Sequence, residues 1–289
     1  PGAARPLLIK TDNAGDFTRL LARGGVGTDR ANHDALVDAY LGQHDTRLTW
    51  PERGRVRSAR SDDLAASVAS IKQADAIKAV LPDGLFARRG GMACGLTRNL
   101  NLPLMGLGAA RALLTHPTEP ASYVCVSDTG LQSASGGGGY DTHTDNARDT
   151  ARNFDNLLQS LLAIINAPGE TDPTKLSLDD TLIILNTEFG RTPTPQDGSG
   201  RNHHPYGYVT AFIGGPITTA QKGISGAIGP DGRAIAGHAT PSENRIAALL
   251  ALGIWPFAHE GFAVSDVDGA EGELDAAQRA MTKFLGRTA

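Results

Sequence analysis

Two cysteines in 289 residues are too few for a cysteine-rich zinc module. Cys94 and Cys125 either pair in an oxidising compartment or stand as two small buried apolar side chains, the simpler expectation. Charge of one sign is not in excess. A formal net charge of −4 gives no electrostatic reason to expect nucleic acid or an anionic membrane as partner. No apolar run approaches the length of a membrane-spanning helix, so no membrane span is expected. The amino terminus carries no signal-peptide pattern, but Pro1-Gly2-Ala3-Ala4-Arg5 reads as a cut end, which leaves export open.

What is present is the material of an ordinary globular protein, 40% hydrophobic and 20% charged, enough for one large α/β domain across residues 1–289. The 35 glycines gather in loops such as Gly136 to Gly139 and Gly214-Gly215, which suggests backbone threading around a site. Leu36, Val37, Tyr40 and Leu41 share a helical face between Asp29 and Gly42, with Gly42 as the expected stop. Ser61 should cap a helix carrying Leu64, Val68 and Ile71, and a further helix is expected over Leu104 to Leu114. Ser122 to Ser127 has strand character. A helix from about Asp145 to Asn166 would place Phe154, Leu157, Leu158, Leu161 and Ile165 inward. Thr181 to Asn186 is a nearly continuous apolar run, as in strands buried on both faces of a parallel sheet, and Tyr208 to Ile213 supplies another strand. Thr240-Pro241-Ser242-Glu243 combines a capping box with proline at the first helical position. A last helix is expected from about Glu273 to Leu285. Alternating strands and helices predict a mainly parallel sheet covered by helices on both faces.

Three clusters carry chemistry, each beside a strand, where open α/β sheets build their sites. Asp141-Thr142-His143 follows four glycines, and in an extended backbone its carboxylate and imidazole can face one ion. Otherwise Asp141 simply begins a turn. Glu188-Phe189-Gly190-Arg191 ends the TLIILN run. There Glu188 either pairs with Arg191 or binds metal while Arg191 faces an anionic substrate. His203 and His204 lie in a polar loop. They are solvated, or at most one joins Asp141 and His143, because adjacent side chains diverge. Imidazole and carboxylate donors suit zinc, manganese or iron better than calcium. His33, His44, His116 and His259 are weaker candidates, and His238 lies close to a helix cap.

Together GGYDTHTDN at 138–146, LDDTLIILNTEFGRTP at 178–193 and GRNHHP at 200–205 resemble an uncharacterised bacterial family, domain of unknown function 1501. That family is grouped with the alkaline phosphatase and sulfatase superfamily. The resemblance runs from about residue 120 to 257 and, more weakly, from about 24 to 119. It implies an alkaline phosphatase-like fold and a divalent metal, zinc or manganese, held by Asp141, His143, Glu188 and His203, with Arg191 toward the substrate. It also implies hydrolysis of phosphate or sulfate esters of a small molecule or glycan, and a periplasmic or secreted location.

Three features depart from the family pattern. Asn202 stands where an aspartate is common, roughly ten residues are inserted before the glycine run, and no equivalent of the family's first strand, acidic ligand and hydroxyl-bearing segment is identified. Leu7-Leu8-Ile9-Lys10-Thr11-Asp12 only superficially imitates such a strand. The chain is therefore expected either to lack its starting portion or to be a non-catalytic binding or assembly protein that keeps the fold and a remnant metal site.

Overall fold

The computed structural model describes residues 30–48, 79–81, 102–131, 139–187, 189–196, 198–215, 217, 223–235, 237–257 and 261–286. Its contacts cluster into two compact units, residues 1–132 with 156–164 and residues 133–155 with 165–289.

In the first unit, helix α1 spans Arg30–Leu48 and passes through Gly42 rather than stopping there. A single glycine inside a helix costs only about 1 kcal/mol relative to alanine, so it does not by itself end one. Leu36 and Tyr40, read as sharing one helical face, are exposed. Helix α2, Leu102–Leu114, is closed by Thr115, whose amide and hydroxyl both donate to the Arg111 carbonyl at 2.9 and 2.8 Å. The segment expected as a strand at 122–127 has no ladder partner among the described residues and is irregular. Its Val126 instead lies against Gly106 of α2, so close that a Cβ there would come within 2.6 Å of the valine methyl. Cys125 is exposed, not buried, while Cys94 lies outside the described residues. Most of the helix expected from Ser61 also lies outside them. Helix α3, Asn146–Leu162, passes from the second unit into the first.

The second unit holds β1 (Leu182–Leu185), β2 (Gly190–Arg191), β3 (His203–His204), β4 (Ala211–Gly214), α4 (Pro241–Ala251) and α5 (Glu273–Leu285). The ladders among the described residues are antiparallel: Leu182 opposes Gly214 and Leu185 opposes Ala211, while Gly190 opposes His204 and Arg191 opposes His203. The apolar run at 181–186 is only half-buried, with Ile184 open to solvent, unlike a strand covered on both faces. A two-stranded antiparallel ribbon can keep one face wet, which the hydrophobic run alone does not reveal.

Helices α4 and α5 build the core of this unit. Ile246, Ala247, Val267, Ala276, Ala277 and Ala280 are buried with Phe257, and the three alanines of α5 let the backbones come close. The expected capping box is formed: Thr240 Oγ1 accepts from the Glu243 amide at 3.1 Å, and Glu243 Oε2 accepts from the Thr240 amide at 2.7 Å. The same carboxylate, nearly buried, takes Lys283 Nζ from α5 at 3.0 Å. Phe212 of β4 meets Phe284 of α5 with ring centroids 5.5 Å apart. Asn244 Nδ2 donates to Thr210 Oγ1 at 2.9 Å, and Thr210 donates on to Asn186 Oδ1 at 2.8 Å, which ties α4 to the end of β1. Among the described residues no helix is long and apolar enough to cross a membrane.

Ile246 is fully buried in this core. Ile246→Ala should lower unfolding stability by about 2–5 kcal/mol, from lost burial and the cavity left behind. Urea denaturation followed by circular dichroism checks it, and a loss below about 1 kcal/mol would show that the α4–α5 core is not built as described.

Candidate metal centre

Three segments of the second unit converge: the turn at 139–145, the hairpin of β2 and β3, and the loop that joins those two strands. Asn153, buried on α3, donates to the Gly139 carbonyl at 2.6 Å and fixes the entry to the turn. Gly139 has φ 69°, a conformation glycine adopts without the Cβ penalty. The amide of Thr142 then donates to the Tyr140 carbonyl at 3.0 Å, and that of His143 to the Asp141 carbonyl at 3.1 Å. Thr142 is buried, accepting from Asn146 Nδ2 at 2.6 Å, which leaves its neighbours Asp141 and His143 on the solvent side.

The joining loop is laced to this turn. Arg201 N donates to the Thr142 carbonyl at 3.2 Å, Asn146 N to the Ser199 carbonyl at 3.2 Å, and Ser199 Oγ to the Thr144 carbonyl at 3.1 Å. Gly200 sits where a Cβ would collide with the His143 carbonyl. Gly190 is equally constrained, because its Cβ would strike the Gly207 carbonyl. Glycine at these two positions is a packing requirement.

The result is one cluster. Asp141 Oδ1, His143 Nε2 and His203 Nε2 form a nearly equilateral triangle with edges of 3.0, 3.2 and 3.2 Å. All three residues belong to a group able to hold a metal ion. A tetrahedral ion with bonds of about 2.05 Å needs donors about 3.3 Å apart. An octahedral ion with bonds of about 2.1 Å needs neighbouring donors about 3.0 Å apart. The observed edges fall within that span, so the donors fit a divalent cation without large rearrangement. Three lone-pair atoms this close repel one another unless a proton or a cation lies among them. The cluster stays open to solvent, with side-chain exposures of 65% for Asp141, 49% for His203 and 36% for His143.

Arg191 supplies part of the positive charge. Its Nη2 donates to Asp141 Oδ1 at 2.7 Å and to the Tyr140 carbonyl at 2.9 Å, and its Nη1 lies 3.4 Å from both the Arg201 carbonyl and His143 Nε2. The guanidinium, read from sequence as a partner of Glu188 or a contact for substrate, is thus engaged by Asp141 and main-chain carbonyls. First the hydrogen bond from Arg191, then that from His203, hold the Asp141 carboxyl down to about pKa 2. This folded value lies below the ordinary aspartate value of about 3.9. The stabilisation it carries is therefore complete above that ordinary value and is lost as pH falls through about 2.

Glu188 lies outside the described residues. His203 and His204 diverge as adjacent strand residues should. His203 joins the cluster with Phe189 against its ring, centroids 4.8 Å apart. His204 turns to Tyr206, edge to face at 5.1 Å, and its ring packs on Gly232. His116 caps a local turn through the Glu119 amide, and His238 Nδ1 lies 2.9 Å from the Ile235 carbonyl, so neither joins the group. Gln196 was missed by the sequence reading: its Oε1 lies 2.9 Å from His143 Nδ1. No sequence pattern marks a glutamine for such a role.

His203→Ala should sharply reduce bound zinc or manganese, whereas His204→Ala should leave it nearly intact. Elemental analysis of both purified variants tests this, and a loss confined to the His204 variant would reverse the assignment. Separately, Arg191→Ala should raise the Asp141 pKa from about 2 toward the ordinary aspartate value. A carboxyl carbon NMR titration reads it, and an unmoved midpoint would refute the Arg191 contact as its cause.

No curated protein and no solved structure matches the chain. Residues 124–252, the stretch that contains Asp141, His143, Glu188, Arg191 and His203, match the model of the family described as Protein of unknown function (DUF1501).

Proposed function

We propose that this protein is a metal-dependent hydrolase of phosphate or sulfate esters, of the alkaline phosphatase and sulfatase type, acting on a small molecule or glycan. The observation that carries the reading is the triangle of Asp141 Oδ1, His143 Nε2 and His203 Nε2, whose edges match the donor spacing of a divalent cation and whose outer side faces solvent. Imidazole and carboxylate donors favour zinc or manganese over calcium. Such a cation, when bound, polarises an ester oxygen and acidifies a coordinated water.

The chain's own residues would do the rest. Asp141, ionised down to about pH 2, keeps an anionic donor at the site through the whole neutral range. Arg191 fixes that carboxylate and contributes a positive charge beside the position an anionic ester would take. Its Nη2 is already engaged by Asp141 and Tyr140, so it acts through charge more than by a bidentate grip on substrate. The fold supporting this reading would be the mainly parallel, helix-covered sheet expected from the sequence, with the antiparallel ribbons as local additions.

A second reading is favoured by one specific observation. The hydroxyl between the two donors, Thr142, is buried and hydrogen-bonded inward, so it is not poised as an attacking group. A non-catalytic binding or assembly protein retaining the metal site would have this arrangement. The two readings separate on turnover. This 289-residue chain, loaded with zinc or manganese, should hydrolyse aryl phosphates or sulfates only slowly, because the covalent route needs an attacker. Slow metal-dependent turnover lost in His203→Ala supports the hydrolase. Metal uptake with no turnover above that of the free ion supports the binding protein. Fast turnover abolished by Glu188→Gln would show that the chain carries an attacking group of its own.

A further inference from the structure

The three donors are not equivalent, and the difference lies in what holds the far side of each ring. His143 Nδ1 stands 2.9 Å from Gln196 Oε1, an atom that can only accept. With that acceptor opposite, neutral His143 carries its proton on Nδ1 and presents a lone pair at Nε2. That lone pair faces Asp141 Oδ1 at 3.0 Å and His203 Nε2 at 3.2 Å. As its Nε2–H tautomer, His203 would complete the arrangement as a donor, 3.2 Å from both Asp141 Oδ1 and His143 Nε2.

We propose that Gln196 is a positioning residue that presets the tautomer and orientation of His143 for the cation, whereas His203 must change tautomer when the cation arrives. The inference rests on the metal-site reading above. Ligating histidines commonly donate their other ring nitrogen to such an outer partner, and removing it weakens metal affinity by roughly 10–100-fold. The Gln196 main chain is itself held in place, because its backbone N–H donates to the Gly200 carbonyl at 2.9 Å, within the loop laced to the His143 turn.

The test combines imidazole nitrogen NMR with zinc affinity by chelator competition, on wild type, Gln196→Ala and Gln196→Glu. In metal-free wild type His143 should be the Nδ1–H tautomer and His203 the Nε2–H tautomer. Zinc should convert His203 to Nδ1–H and leave His143 as it was. Gln196→Ala should lose the His143 preference and bind zinc roughly 10–100-fold more weakly. Gln196→Glu, which also accepts from Nδ1–H, should restore both. A metal-free wild type with His143 as Nε2–H would overturn the proposal, as would equal zinc affinity in wild type and Gln196→Ala. No zinc uptake by wild type would overturn the underlying site reading and this inference with it.

Discussion

Asp141 Oδ1 is a crowded acceptor, and much of the local structure follows from that crowding. Two imidazole nitrogens and a guanidinium approach this one oxygen within 3.2 Å. A carboxylate can take several such neighbours only if it stays ionised, and the Arg191 and His203 contacts ensure that it does. Its exposure is what makes the arrangement useful. A buried carboxylate with these partners would be a closed structural knot, whereas an exposed one leaves room for a further positive charge. The same exposure means that solvent screens the pair with Arg191, so the cluster contributes organisation more than folding stability.

The frame that brings the donors together is backbone, not core. The 139–145 turn and the 199–201 loop exchange main-chain hydrogen bonds, with side-chain hydroxyls and amides at the margins. The approach is close enough that Gly200 has no room for a Cβ. The hydrophobic core of Ile246, Val267 and the α5 alanines supports the unit elsewhere and reaches the strands through the Phe212–Phe284 contact and the Asn244–Thr210–Asn186 chain.

Features with a local chemical cause were legible in the sequence. The Thr240 capping box, the α5 boundaries and the apolar stretches of β1 and β4 follow from residue type and spacing. Asp141 and His143 were also legible as donors of the right kind beside a strand, whereas His203 was set apart from His204 only by the family resemblance; the structure brings these three together. Features set by partners distant in sequence were not. The run at 122–127 has strand composition but packs on Gly106 without a ladder. Arg191 sits three residues after Glu188, yet among the described residues its carboxylate partner is fifty positions away at Asp141. Gln196 acquires its role only because the loop folds across to His143, 53 residues earlier.

The two-residue hairpin of β2 and β3 has a consequence for assembly. Arg191 stands opposite His203 and Gly190 opposite His204. Because strand side chains alternate between faces, a shift of one residue would carry His204 to the cluster and turn His203 away. So short a ribbon has little of its own to forbid that slip. A ligand that recognises only the correct pairing stabilises it by mass action, in proportion to the logarithm of its concentration over its dissociation constant. The ion would thus proofread the pairing of the strands that cradle it.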